Sequence, residues 1–199
     1  MFHRVGSKTG GLNRESRPTG IQQLLRIGWC LLLLGCCWAF PQQAQAQYTE
    51  YQIKAGWLCN FAKYVTWPDN FMRSDVVVIG ILGDDPFGED IDRIAKNRRI
   101  NGRQIEIRRG KTIDELRGAH VIFFTSSTHR DLKNVFVEYK TKTRGILTVG
   151  DGMEDFLDAG GIINFNRKQP TSFSINLDAA FQNRLVIHSK LLELAYKFR

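Results

Sequence analysis

Ser126, Ser127 and His129 are the residues whose types could do nucleophilic chemistry, because a hydroxyl beside an imidazole is the first half of a hydrolytic triad. Around them there is no Gly-x-Ser-x-Gly elbow, and nothing marks an orienting acid. Ser127 or Thr128 is therefore expected to cap a helix, with a hydrolase around Ser126 and His129 as the enzymatic alternative. His3, His120, His129 and His188 have no second histidine or cysteine at ligand spacing, which argues against a structural zinc site. Asp151, Glu154, Asp155 and Asp158 lack the Asp-x-Asp-x-Asp-Gly order of a calcium loop and read as a solvated loop and helix start. The stretch Gly83 to Gly88 carries neither a Gly-x-Gly-x-x-Gly fingerprint nor a Gly-Lys-Ser/Thr phosphate loop. Asp84 and Asp85 would repel a phosphate, so it reads as a turn. No catalytic residue, metal or cofactor is expected, which points to a binding or regulatory module rather than an enzyme.

The elements that must position these residues alternate between strand and helix. Tyr51, Ala55, Leu58, Ala62 and Val65 recur every three or four residues and predict a helix over 51–65, with Trp57, Phe61 and Tyr64 widening its apolar face. Trp67-Pro68 ends it, since the residue before proline is pushed out of the helical region. Val76 to Leu82 is a continuous apolar strand, followed by a helix over Glu89 to Lys96. Asn101-Gly102 is a turn, Gln104 to Arg108 an outer strand, and Ile113 to Leu116 a short helix. His120 to Thr125 and Ile146 to Val149 are inner strands, separated by a helix from Thr128 to Tyr139.

At the end of the chain, Ile163 and Phe165 alternate with Asn164 and Asn166, and Phe173, Ile175 and Leu177 with Ser174 and Asn176. These read as two strands of a hairpin joined by Arg167 to Pro170. Leu191, Ala195 and Phe198, at i, i+4 and i+7, predict a core-facing helix that Ser189 can cap. The expected fold class is a single α/β domain: a largely parallel sheet with helices on both faces, closed by a C-terminal β-hairpin plus helix. Ligands in such sheets sit beyond the carboxyl ends of the strands, at Gly83 to Gly88, Ser126 to His129 and Gly150 to Met153.

Only residues 47–199 are expected to fold. Arg26 precedes an apolar run from Ile27 to Phe40, and Ala44-Gln45-Ala46 is a small-x-small site, so residues 1–46 read as a signal peptide cleaved between Ala46 and Gln47. The chain is therefore expected to be exported, with a lipoprotein at Cys36 as the minor alternative. Cleavage leaves 153 of the 199 residues, with Cys59 the sole remaining cysteine and no internal disulfide. Cys59 is either a buried small hydrophobe or an intermolecular link. The formal charge falls from +8 to +4, which excludes a general nucleic-acid binder. One excess remains between Arg93 and Lys111, where eight basic residues stand against Glu106 alone. It reads as a solvated loop and charge-protected edge strand, or as a surface for anionic lipid headgroups or an acidic partner.

Six stretches together resemble the YfiR-like family of periplasmic proteins. They are KAGWLCNFAKYVTWP from Lys54 to Pro68, LGDDPFG from Leu82 to Gly88, LTVGD from Leu147 to Asp151, GGIINF from Gly160 to Phe165, FSINL from Phe173 to Leu177 and SKLLELA from Ser189 to Ala195. The resemblance implies a compact α/β periplasmic domain that represses an inner-membrane diguanylate cyclase of the YfiN type, lowering cyclic di-GMP and biofilm formation. It also implies relief by an outer-membrane lipoprotein of the YfiB type, and a homodimer. Relatives with paired cysteines use them as structural disulfides. The single Cys59 excludes that device here.

A partner surface is expected around Trp57 and Phe61 together with Arg98, Arg99, Arg108 and Arg109. Packing of the aromatic residues against the sheet is the competing role. The alternative function is a periplasmic small-ligand sensor or accessory binding protein using the loops Gly83 to Gly88 and Gly150 to Met153.

Overall fold

The computed structural model describes residues 49–198 apart from 69–70, 72–74 and 143–144. The leader expected at 1–46, its cleavage site at Ala46 and Gln47, and Cys36 lie outside the described residues. Among the described residues no helix is long and apolar enough to cross a membrane.

Thr49 opens α1 (Glu50–Phe61) with a reciprocal cap. Its hydroxyl accepts from the Gln52 N–H, and the Gln52 side chain accepts from the Thr49 N–H, so two free donors at the helix start are satisfied. The helix is shorter than its apolar pattern predicts. It tightens into a 3-10 turn, Ala62–Tyr64, because the β-branched pair that follows forms strand β1 (Val65–Thr66) and bonds to β8 (Val186–Ile187).

The main sheet has the order β3-β2-β4-β5-β6-β7-β9. Strands β2 (Val76–Leu82), β3 (Gln104–Gly110), β4 (Val121–Phe124), β5 (Leu147–Gly150) and β6 (Ile163–Phe165) pair in parallel. Strand β7 (Phe173–Ile175) returns antiparallel to β6, and β9 (Lys197–Phe198) lies parallel to β7 as an edge. The sheet is therefore mostly parallel with an antiparallel end, as expected.

Alternation along the strands supplies two cores. Val77, Ile79 and Ile81 face one side and pack with α1 and α2 (Glu89–Lys96), whereas Val78 and Leu82 face the other and pack with α3 (Leu132–Lys142). On the second side Leu116 packs against Gly80, where a Cβ would stand only 3.1 Å from its methyl group. Phe156, fully buried, lies over Gly150 and Gly161. A Cβ at Gly161 would overlap the ring, so the close approach of backbone to ring requires glycine there.

The C-terminal segment departs from its pattern. Leu177 is the first residue of α4 (Leu177–Gln182) and not a strand residue, because Asn176 caps this helix by accepting from the Ala179 N–H. The hairpin turn is wider than four residues, running from Asn166 to Ser172 with Lys168 N–H and Gln169 N–H donating to the Asn166 side chain. Helix α5 (Ser189–Leu194) starts one residue after its cap position, His188, so Ser189 does not cap it. It ends before Ala195, whose extended backbone leads into β9, and Phe198 is consequently 54% exposed and not a core residue. Neither Ser127 nor Thr128 caps a helix either. The Thr128 hydroxyl donates back to the Thr125 carbonyl, and the Ser127 hydroxyl accepts from the Asp84 N–H.

Cys59 lies inside the α1 face of the core at 1% exposure, which decides for the buried hydrophobe over the intermolecular link. Burial pushes its thiol up to about 11, opposed by the nearby Arg98 cation. A thiol that is both enclosed and protonated does not react. Ellman's reagent should therefore leave the native protein unmodified at neutral pH and titrate one thiol after denaturation, provided the leader cysteines are absent. Rapid labelling of the native fold would contradict this packing.

Candidate functional site

Three groupings carry polar chemistry or exposed surface, and the ends of the sheet organise them. At the carboxyl end, Asp151 follows β5 and turns inward rather than toward solvent. Its side chain is 2% exposed and meets the Lys54 ammonium, 5% exposed, at 2.7 Å. Lys54 Nζ also reaches Glu50 at 2.5 Å and stands 4.9 Å from the Tyr51 ring centroid and 5.4 Å from that of Phe165. The Tyr51 hydroxyl donates to the second Asp151 oxygen at 3.0 Å. Each charge has a partner, the condition under which a buried ion pair is tolerated. The solvated-loop expectation therefore fails for Asp151, while Glu154, Asp155 and Asp158 lie in turns rather than at a helix start.

Burial, reinforced by the Asp151 carboxylate, pushes the Tyr51 phenol up from 10.0 to about 12. The fold thus prefers the protonated phenol. This contribution to stability is whole below pH 10 and is lost as pH rises from 10 to about 12. An ultraviolet pH titration should show late-ionising phenol absorbance that falls by one tyrosine in Tyr51→Phe, the buried Tyr139 being unaffected. An undiminished late phase in that variant would contradict the assignment to Tyr51.

The remaining loops at this end are closed by their own contacts. Lys111 pairs with Asp84, and Arg109 pairs with Asp85 at 2.7 Å and Asp92 at 2.6 Å while donating to the Gly88 carbonyl. Ser127 is held between the Asp84 N–H and the Thr125 hydroxyl, 2.8 Å away, so it serves the turn. Ser126, His129, Asp151, Met153, Glu154 and Arg167 line a hollow of about 290 Å³. It adjoins an open groove of about 670 Å³ over β6, where the buried Asn164 Oδ1 accepts no hydrogen bond. Among the described residues no group of three or more His, Cys, Asp or Glu side chains could hold a metal ion.

The six residues expected to form one partner surface do not form one. Phe61 is completely buried, stacked 5.8 Å from Trp57 and packed edge-on against Phe173 at 4.9 Å, so it belongs to the core. Trp57 is half-buried on the same cluster. Arg98 is exposed and donates to the Gly56 carbonyl and the Asn60 side chain, tying the end of α2 to α1, with exposed Arg99 beside it. Arg108 and Arg109, neighbours in β3, point to opposite faces of the sheet. Arg109 reaches Asp92 in α2, whereas Arg108 reaches Glu106 and the Arg117 carbonyl.

What the residue pattern missed is apolar exposure at the end of the chain. Phe181, Val186, Leu194, Tyr196 and Phe198 are between 52% and 82% exposed. The signal was present for Phe181 and Leu194 alone, which lie in six-residue helices too short to bury more than one apolar stripe.

These features define a single α/β domain with paired charges at the carboxyl end of a mostly parallel sheet and apolar side chains exposed near its antiparallel edge. The chain belongs to the YfiR/HmsC-like family, which it matches over residues 51–196. That family is regulatory rather than catalytic, and its theme is cyclic di-GMP signalling. No curated protein matches the sequence. A solved structure similar to it is a conserved domain protein from Vibrio cholerae O1 biovar eltor str. N16961, with TM-score 0.46 and 10% identity. That likeness covers 75% of this chain and 60% of the other.

Proposed function

We propose that the protein is an exported regulator that works by binding. It holds the periplasmic sensor part of an inner-membrane diguanylate cyclase of the YfiN type in its inactive arrangement, lowering cyclic di-GMP and biofilm formation. An outer-membrane lipoprotein of the YfiB type relieves that hold. The observation that carries this reading is family membership across nearly all of the described domain. No chemistry is required, because a regulator that binds the inactive state about 100-fold tighter biases a two-state receptor by about 2.7 kcal/mol. Leu194, Tyr196 and Phe198, exposed beside edge strand β9, support a protein contact there, with a second copy of the chain as the competing occupant.

Cellular cyclic di-GMP tests the reading in the parent, a deletion strain, and deletion strains carrying the full gene or one lacking residues 1–46. A rise on deletion that only the full gene reverses is the expected result. Unchanged levels on deletion would end the repressor reading. The groove over β6 and its unsatisfied Asn164 oxygen favour a second reading, a small-ligand sensor. A thermal-shift screen with amino acids and nucleotides tests it, and a screen without a stabilising compound counts against it.

A further inference from the structure

We infer that the amino end of the sheet is a docking surface for an anionic phospholipid bilayer. Helix α1 runs against the parallel strands. Tyr51 and Lys54 meet Asp151 beyond the carboxyl end of β5, and ten residues later the chain is at the opposite end, where the Tyr64 carbonyl accepts from the His188 N–H. Helix α2 runs the same way, so Lys96, Arg98 and Arg99 lie with Lys63 at the amino end, all four exposed. The turn between α4 and β8 arrives at this end too. Asn183 accepts from the Tyr139 hydroxyl, which also donates to the Ile146 carbonyl just before β5, and Val186 pairs with Thr66.

That turn places Phe181, 82% exposed, and Val186, 62% exposed, on either side of exposed Arg184. Large apolar side chains flanking a cation, within a wider cationic face, match an interface where apolar groups enter the acyl boundary and cations meet phosphates. Among the described side chains, the acidic groups at this end are Asp75 and Asp178, whereas at the other Asp84, Asp85 and Asp151 pair with Lys111, Arg109 and Lys54, and Glu154, Asp155 and Asp158 lie in the turns after β5. The charge separation favours approach to an anionic surface by the amino end.

Vesicle co-sedimentation of the purified protein, its N-terminus established by mass spectrometry, tests the inference with phosphatidylglycerol and phosphatidylcholine vesicles. Binding to the anionic vesicles alone is expected, weakening about ten-fold or more in Lys96→Glu/Arg99→Glu and falling measurably in Phe181→Ala. The pair Arg167→Glu/Lys168→Glu, equal in charge change but in the hairpin turn at the far end, should bind as the parent does. Equal losses in both charge-reversed pairs would reduce the effect to net charge and overturn the inference. No binding to anionic vesicles at about 50 mM salt would do the same. Should Lys96→Glu/Arg99→Glu release the cyclase without any vesicle binding by the parent, the surface serves an acidic protein and the lipid assignment falls.

Discussion

Lys54→Met is expected to cost about 3–5 kcal/mol of unfolding free energy, the effect of leaving a buried charge without its counter-ion. The two members of the pair are not equivalent. Without Lys54, the Asp151 carboxylate is buried with only the Tyr51 hydroxyl donating to it. Without Asp151, Lys54 still has Glu50, whose side chain is 44% exposed and keeps contact with water. Asp151→Leu should therefore destabilise less than Lys54→Met. The double variant Lys54→Met/Asp151→Leu should recover most of the loss, since replacing a buried pair by apolar groups of similar size is often neutral. Urea denaturation of the four proteins gives the cycle directly. Single-variant losses below about 1 kcal/mol would mean that the pair behaves as a surface bridge.

Gly161→Ala is the second large effect, expected at about 1–3 kcal/mol, because an added methyl must displace a packed aromatic ring. The new Cβ would overlap the Phe156 ring and sit 2.7 Å from the Phe156 carbonyl oxygen, and the backbone oxygen has no rotamer through which to yield. Phe156→Leu should partly relieve the overlap, making the double variant less unstable than the two single losses predict. The same urea transitions measure this. A full loss in Gly161→Ala that Phe156→Leu does not reduce would place the strain in the backbone alone.

How far the sequence reveals this protein depends on whether the deciding interaction is local. Helix α2 falls on its expected residues because its signals lie within it: acidic side chains in the first turn, Arg93 and Lys96 in the last. Strand β2 is equally legible as an uninterrupted apolar run, and Asn101-Gly102 takes the positive φ values that a tight turn needs. Asp151 was illegible because three acidic neighbours made it look solvated, while its partner Lys54 lies 97 residues earlier. The Leu191–Ala195–Phe198 spacing fits a helix, but the chain can bond to β7 instead, and that tertiary choice leaves no local trace. The divergence of Arg108 and Arg109 was readable in principle. Adjacent strand residues face opposite ways, so one surface cannot use both. The family resemblance came through more clearly than any site because turn and core residues carry it, and those determine a fold without marking a contact.

The pairing of β1 with β8 also has a kinetic meaning. Thr66 and His188, 122 residues apart, bond across it at 2.9 Å, and Lys54 waits for Asp151 in the same way. The first helix among the described residues is thus held partly by α2, through Arg98 at its end, and partly by segments synthesised much later. High contact order slows folding, since long loops must close before the contacts reward them. In an exported chain, as proposed above, late closure of that helix would leave the chain thinner during its passage across a membrane.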